Sequence, residues 1–309
     1  MDLRLTALRL TPAGTGHLAM LAFSACVAGS FSLGGLVANQ IAPDVMTALR
    51  LWLAAGVLGG VALFTTGLPR AAFVSVWRYG VLGFLYGLYC VLMFEGLKTA
   101  APVSAAAVFT MSPLLAAGFG WLLLRQKLTG RMAIALAIGA TGAVWVIFRA
   151  DIAAVLRFQI GPGERIYFIG CVAHALYAPL VRKLNRGEAA LVSSFGTVVA
   201  GALLLTVWSW RDLLAVDWAA LPAIVWITLA YLTIFATAAS FVLLQYASLR
   251  LPAAKVMAYT YLVPSWVILW QLALGGAVPV IWVLGGVGLT ILALGLLLRE
   301  DVPNAVKLA

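Results

Sequence analysis

Nearly the whole of this 309-residue chain is divided into runs of about 20 apolar residues, separated by charges, prolines and Gly-rich turns. A helix of that length rises about 30 Å, the thickness of the hydrocarbon layer of a bilayer. Lipid offers the backbone no hydrogen-bond partner, so each run is expected to satisfy its own amides as a helix. Ten helices are read this way, at 17–39, 44–66, 77–97, 102–124, 130–148, 164–184, 188–209, 219–246, 252–273 and 279–298. Hydrophobic residues make up 64% of the chain and charged ones 10%, against roughly half and a quarter in soluble domains. The expected fold class is an all-α membrane protein, with no stretch left over for a soluble domain.

The same distribution excludes several functions. A net charge of +10 could point to nucleic acid, but the basic residues stand singly between apolar runs and form no phosphate-binding face. Cys26, Cys90 and Cys171 lie in three different runs, without the spacing of a zinc site or a disulfide framework, and read as small packing residues. No cofactor is implied. His-Glu-x-x-His, Gly-x-Ser-x-Gly and phosphate-loop signatures are missing, so a membrane enzyme would have to build its site from His174 and scattered hydroxyls. A channel's charged ring or filter segment is not apparent either. Arg4 and Arg9 ahead of an apolar run resemble a signal peptide, and Phe23-Ser24-Ala25-Cys26 a lipoprotein cleavage site. The run continues to about Asn39, however, and is read as the first transmembrane helix.

Placing both termini in the cytoplasm leaves only Lys98, Arg149, Arg157, Arg165 and Arg211 outside, with Arg50 within a helix and every other Lys and Arg inside. That asymmetry is the one basic loops prefer. Trp77, Trp121, Trp208, Trp210, Trp218 and Trp282 fall near helix ends, where indole rings anchor at the membrane surface.

Two segments interrupt the apolar runs in the same manner. APVSAAAVFTMSP at 101–113 and LPAAKVMAYTYLVP at 251–264 each carry two prolines. Pro102 aligns with Pro252, Pro113 then matches Pro264 within one residue, and Phe109-Thr110 answers Tyr259-Thr260. An internal duplication is expected, with residues 1–150 and 151–309 as five-helix repeats. Five is odd, so the second copy threads the bilayer in the opposite sense. Inverted repeats around a central cavity are a recurrent plan of secondary transporters.

Pro113 and Pro264 fall near mid-membrane, where the missing N–H kinks a helix and frees a carbonyl. They are candidate gates, although a kink can also serve packing alone. Candidate substrate contacts are Phe109, Thr110, Tyr259, Thr260 and Tyr261 beside the two prolines, and Tyr86 and Tyr89 in the third helix. His174 and Tyr177 in the sixth and Tyr231, Ser240 and Gln245 in the eighth complete an aromatic lining with few charges. Any one of them could instead pack against lipid or protein. His174 is either a proton relay or a neutral imidazole bonding across helices. Arg50, two turns into the second helix, needs an acceptor, which could be a substrate carboxylate or a structural partner. Lys255 can snorkel to the surface or meet substrate. Glu95 and Lys98 are expected to pair, and Asp44 to sit at a helix N-terminus. Gly56-xxx-Gly60 and Gly83-xxx-Gly87 are expected to permit close helix packing.

The entry to the fourth helix, Gly96-Leu97-Lys98-Thr99-Ala100-Ala101-Pro102, and its continuation Ser112-Pro113-Leu114-Leu115 resemble the drug/metabolite transporter superfamily, in particular its EamA-type exporters. The second half matches through Ala247-Ser248-Leu249-Arg250-Leu251-Pro252-Ala253-Ala254-Lys255 and Tyr261-Leu262-Val263-Pro264. Those halves usually carry a Gly-Glu pair after helices four and nine; here Arg125-Gln126 and Gly275-Gly276 stand instead. The resemblance implies a ten-helix basket in a bacterial inner membrane, with helices four and nine at its site, exporting amino acids or related amphipathic metabolites. The bacterial aromatic amino acid exporters are the branch it suggests, and a multidrug or nucleotide-sugar carrier is the alternative. The partners expected are a small-molecule substrate and the lipid bilayer, with the chain a monomer or a weak homodimer.

Overall fold

The computed structural model describes residues 12–127, 129–148, 151–153, 160–276 and 281–298. Both ends of the chain, most of the central loop and the expected start of the last helix at 279–280 lie outside them. Among the described residues ten long helices are present: α1 (Pro12–Val37), α2 (Pro43–Phe64), α3 (Trp77–Leu97), α4 (Pro102–Leu124), α5 (Gly130–Ile147), α6 (Pro162–Leu184), α7 (Ala190–Trp208), α8 (Ala223–Ser248), α9 (Ala253–Ala273) and α10 (Ile281–Leu298). Among the described residues no strand occurs. Nine of these helices are long and apolar enough to cross a bilayer. α6 has the length, 23 residues, but carries Glu164, Arg165, Arg182 and Lys183 at its ends and is packed along α3 and α4.

Local chemistry sets the boundaries. Pro43, Pro102 and Pro162 open α2, α4 and α6, where a missing N–H costs nothing because the first turn has no acceptor for it. Asp44 follows Pro43 and accepts from the Val45 amide at 2.9 Å, as a carboxylate at a helix N-terminus should. α4 ends with Arg125 in the left-handed region (φ 54°), a place usually given to glycine, and the turn after α9 places Gly275 there (φ 80°). The chain between α7 and α8, outside the expected helices at 188–209 and 219–246, forms a short helix, Trp210–Ala215.

The two five-helix halves, α1–α5 and α6–α10, meet each other pairwise. α2 packs on α7, α4 on α9 and α5 on α10; α3 packs on α6 as α1 does on α8, and α3 on α7 as α2 does on α8. Exchanging the halves maps this set of contacts onto itself. Equivalent helices run antiparallel: the first part of α4 touches the last part of α9, and the last part of α4 the first part of α9. On α5 and α10, Gly142 faces Gly286 while Trp145 Nε1 donates to the Trp282 carbonyl at 2.8 Å. The repeat is therefore inverted, as five helices require.

Loops assigned to one face touch one another. On the side expected inside, Arg78 meets Glu188 at 2.6 Å, Arg186 donates to Ser75 Oγ at 2.9 Å, and the Ala253 amide donates to Gln126 Oε1 at 3.2 Å. On the other side Asn39 donates to the Lys98 carbonyl, beside the expected Lys98–Glu95 pair at 2.6 Å. Trp77, Trp121, Trp208, Trp210 and Trp282 are exposed near helix ends, and exposed Leu, Ile, Val and Phe cover the span between them. Only one of the two glycine pairs packs as expected. Gly83 lies against the backbone of Gly201 and Thr197 on α7, and Gly87 against Leu205. Gly56 and Gly60 face open space, and on α2 it is Gly59 that meets a neighbour, the ring of Phe195.

Candidate functional site

α4 and α9 are each broken where the prolines forecast. Regular α-helix stops at Phe109 and resumes at Ser112, with Pro113 in the first turn of the new segment. In α9 the chain tightens to a 3-10 turn over Tyr259–Leu262 before Val263 and Pro264 restart it. A third break, without a proline, lies in α8, where Ile234–Ala239 forms a π turn. There the Ser240 amide bonds to the carbonyls of Phe235 and Thr237 instead of that of Ala236. The Ala236 carbonyl is left to accept from side chains, and it does so from Ser240 Oγ at 2.8 Å and the Tyr86 hydroxyl at 3.3 Å. π turns inside helices are frequent at functional sites for this reason.

Behind that π turn, where α1, α2, α3, α6 and α8 converge, a small hollow lies inside the bundle. Its volume of about 10 Å³ is room for about one water. Its walls include Phe23, Val27 and Ser30 from α1, Arg50 from α2, Tyr86, Tyr89 and Met93 from α3, His174 from α6, and Ala236, Ser240, Phe241 and Leu244 from α8. Each of these residues is at most 6% exposed. The central cavity is therefore shut from both sides.

A shell of aromatic rings surrounds it. His174 lies 4.3 Å from the Tyr89 ring, 5.2 Å from Phe109 and 6.3 Å from Tyr177, centroid to centroid, and stacks on Phe23 at 6.5 Å. Tyr86 meets Phe241 edge-on at 4.4 Å. Tyr167 joins through Tyr89 and Phe109, its hydroxyl donating to that of Tyr89 at 3.3 Å. Such faces suit flat rings and soft cations.

Of the residues singled out from sequence, Tyr86, Tyr89, His174 and Ser240 line the hollow, and Phe109 and Tyr177 form the shell behind them. Gln245 Nε2 donates to the Tyr177 hydroxyl at 2.7 Å. Thr110 donates to the Ala107 carbonyl within its own helix. The others lie elsewhere. Tyr231 is half-buried, bonds to the Cys26 carbonyl at 3.0 Å and packs on Phe235 and Trp270. Tyr259 sits beside His17, Thr260 is buried within the 3-10 turn, and Tyr261 points at Gly139 on α5. None of these four lines the hollow.

Several lining residues were not foreseen, Met93 and Ala236 among them. α1 supplies Phe23, Val27 and Ser30, but it is apolar on every side and carries no signal of a buried face. Phe241 and Leu244 come from the half of α8 that the π turn rotates. Arg50, expected from the sequence to need an acceptor, also lines the hollow: it is 2% exposed, and its Nε donates to Thr237 Oγ1 at 3.0 Å and its Nη2 to the Tyr86 hydroxyl at 3.1 Å. Among the described residues no carboxylate pairs with it; the ion pairs are Arg78–Glu188 and Lys98–Glu95.

Comparison with known proteins decides the family. The EamA-like transporter family matches twice, over residues 14–148 and 162–299. The chain belongs to that family. Its fold is shared by a solved crystal structure at TM-score 0.67 and 21% identity, over 93% of this chain and 98% of the other. Among named relatives, an uncharacterized transporter of Bacillus subtilis, YyaM, is 27% identical over 295 residues, covering 94% of this chain and 95% of its own. An S-adenosylmethionine/S-adenosylhomocysteine transporter of Chlamydia muridarum is 28% identical over 185 residues, 57% of this chain and 58% of that protein. The EamA protein described here is thus a multi-pass membrane transporter.

Proposed function

We propose that this EamA protein resides in a bacterial inner membrane, both termini cytoplasmic, and exports amino acids, aromatic or otherwise neutral, or related small metabolites by alternating access. The observation that carries this reading is the shut, ring-lined hollow at the junction of two antiparallel halves. An occluded site wrapped by both halves is the intermediate that alternating access needs, because either end can open while the other stays closed. The halves divide near residue 150, and Pro113 and Pro264 serve as gate hinges. Tyr86, Tyr89, Phe109, His174, Tyr177 and Ser240 make the substrate contacts, and the chain acts without catalysis as a monomer or a weak homodimer.

A neutral substrate can run down its gradient with no coupled ion, since only the two conformations need interconvert. A nucleotide-sugar diphosphate fits less well, because Arg50 is the one Lys or Arg among the lining residues. S-adenosylmethionine, which the Chlamydia relative's name mentions, shares with aromatic amino acids an α-amino acid group joined to a flat ring, and is tested alongside them. The experiment is uptake and counterflow in proteoliposomes with labelled phenylalanine, tryptophan, methionine and S-adenosylmethionine, against a lipophilic cation. Saturable movement of one or more of the first four is expected. Movement of the lipophilic cation alone, or of nothing, contradicts the reading.

A further inference from the structure

We propose that Arg50 is the anchor for the carboxylate of the transported molecule. The inference rests on the transporter reading above and assigns a chemical role within its site.

A guanidinium carries five N–H donors and keeps its charge under all ordinary conditions. In this protein Nε donates to Thr237 Oγ1 at 3.0 Å, and Nη2 donates to the Tyr86 hydroxyl at 3.1 Å and the Ala236 carbonyl at 3.4 Å. Nη1 has no hydrogen-bond partner among the described residues. The residue is buried and lines the hollow, about 10 Å along α2 from Pro43 by helical rise. Its three partners are neutral, so they hold the group without cancelling its charge. A charge at such depth is expensive, and an apolar side chain would fill the space without that cost. The arrangement is that of an anion receptor.

The surroundings select the anion. Thr237, Ala236 and Tyr86 come from the π turn and from α3, and together they fix the plane of the guanidinium and leave the Nη1 end free. A planar carboxylate with one negative charge matches a single guanidinium. A phosphate dianion would call for a second cation, and none is among the lining residues. Beyond Arg50 the walls are rings, with Tyr86 against Phe241, and Tyr89 and Phe109 against His174. The ligand class is therefore a small monocarboxylate bearing an aromatic or other apolar body, the carboxylate on Nη1 and the body against the rings.

The test compares acid and amide partners on the purified full-length protein in nanodiscs, by calorimetry and by thermal stabilisation. The pairs are phenylalanine and phenylalaninamide, methionine and methioninamide, and S-adenosylmethionine and its decarboxylated form. At least one acid is expected to bind about tenfold or more tightly than its counterpart without the carboxylate, the difference a charge-assisted pair makes. Arg50→Gln is expected to erase that preference and Arg50→Lys to retain part of it as a point charge. Equal binding of every acid and its amide by the wild-type protein overturns the proposal, and that comparison needs no variant to fold. Arg50→Gln binding acids as tightly as wild type overturns it too. If solutes move in liposomes without regard to the carboxylate, the anchor fails and the transporter reading stands; if none binds or moves, both fail.

Discussion

Substitution of Gly83 by alanine puts the α3–α7 contact to the test. A Cβ at Gly83 would stand 2.5 Å from the Gly201 nitrogen and 2.7 Å from the Thr197 carbonyl oxygen, where ordinary contact is 3.4–4 Å. Both obstacles are backbone atoms of a helix, so no rotamer change relieves them, and α3 must move off α7 by about 1 Å. Overpacking of this kind costs roughly 1–3 kcal/mol. Replacing a mid-helix glycine returns about 1 kcal/mol of helix propensity, leaving a net loss of up to about 2 kcal/mol. At roughly 2–4 °C per kcal/mol, melting should fall by up to about 8 °C. The assay is fluorescence-detected size-exclusion melting of detergent-solubilised protein. Gly87→Ala, whose nearest neighbour would be Leu205 Cδ1 at 3.4 Å, and Gly56→Ala, which meets nothing within 4 Å, serve as controls expected to melt at or above wild type. Because α3 also carries Tyr86 and Tyr89, Gly83→Ala should slow transport as well. Gly83→Ala melting together with Gly56→Ala would refute the packing argument.

Two further outcomes follow from named groups. Burial works against ionisation of Glu188, yet hydrogen bonds from Arg78 and the Arg186 amide hold its carboxyl below the ordinary value. Its contribution to stability should be full above the unfolded pKa of about 4.3 and drain away as the pH falls through the lower folded value; Glu188→Gln should remove that acid-range slope, which melting against pH will read. His174 touches Phe23, Tyr89, Phe109 and Tyr177, and among the described residues its Nδ1 has no hydrogen-bond partner. His174→Gln should therefore change substrate affinity and leave the shape of the transport–pH profile between about pH 6 and 8 unaltered, whereas a flattened profile would make the imidazole a proton relay.

How much of this was legible in the sequence depended on the kind of signal. Span positions were, because apolar length alone sets them, and the breaks in α4 and α9 were, because Pro113 and Pro264 cannot donate to the preceding turn. Orientation of side chains was not. In lipid both the outward and the inward face of a helix are apolar, so no 3.6-residue alternation tells Tyr86 from Tyr231, or the empty flank at Gly56 from the packed one at Gly59. The π turn at Ile234–Ala239 has no proline or glycine to announce it. Arg50 was visible as a buried charge, but its partner Thr237 lies 187 positions away and became apparent only once α2 and α8 were seen in contact.

The central claim is that two oppositely threaded halves close over one hollow and open it to one side at a time. Pulsed electron-resonance distances in a variant lacking the native cysteines measure this most directly, with one label pair at Ser75 and Arg186 and another at Trp145 and Trp282, each pair joining the two halves on its own face. The account predicts two populations in which one pair is short whenever the other is long, with phenylalanine or S-adenosylmethionine shifting their ratio. Both pairs lengthening together, or neither changing under any substrate, would contradict it.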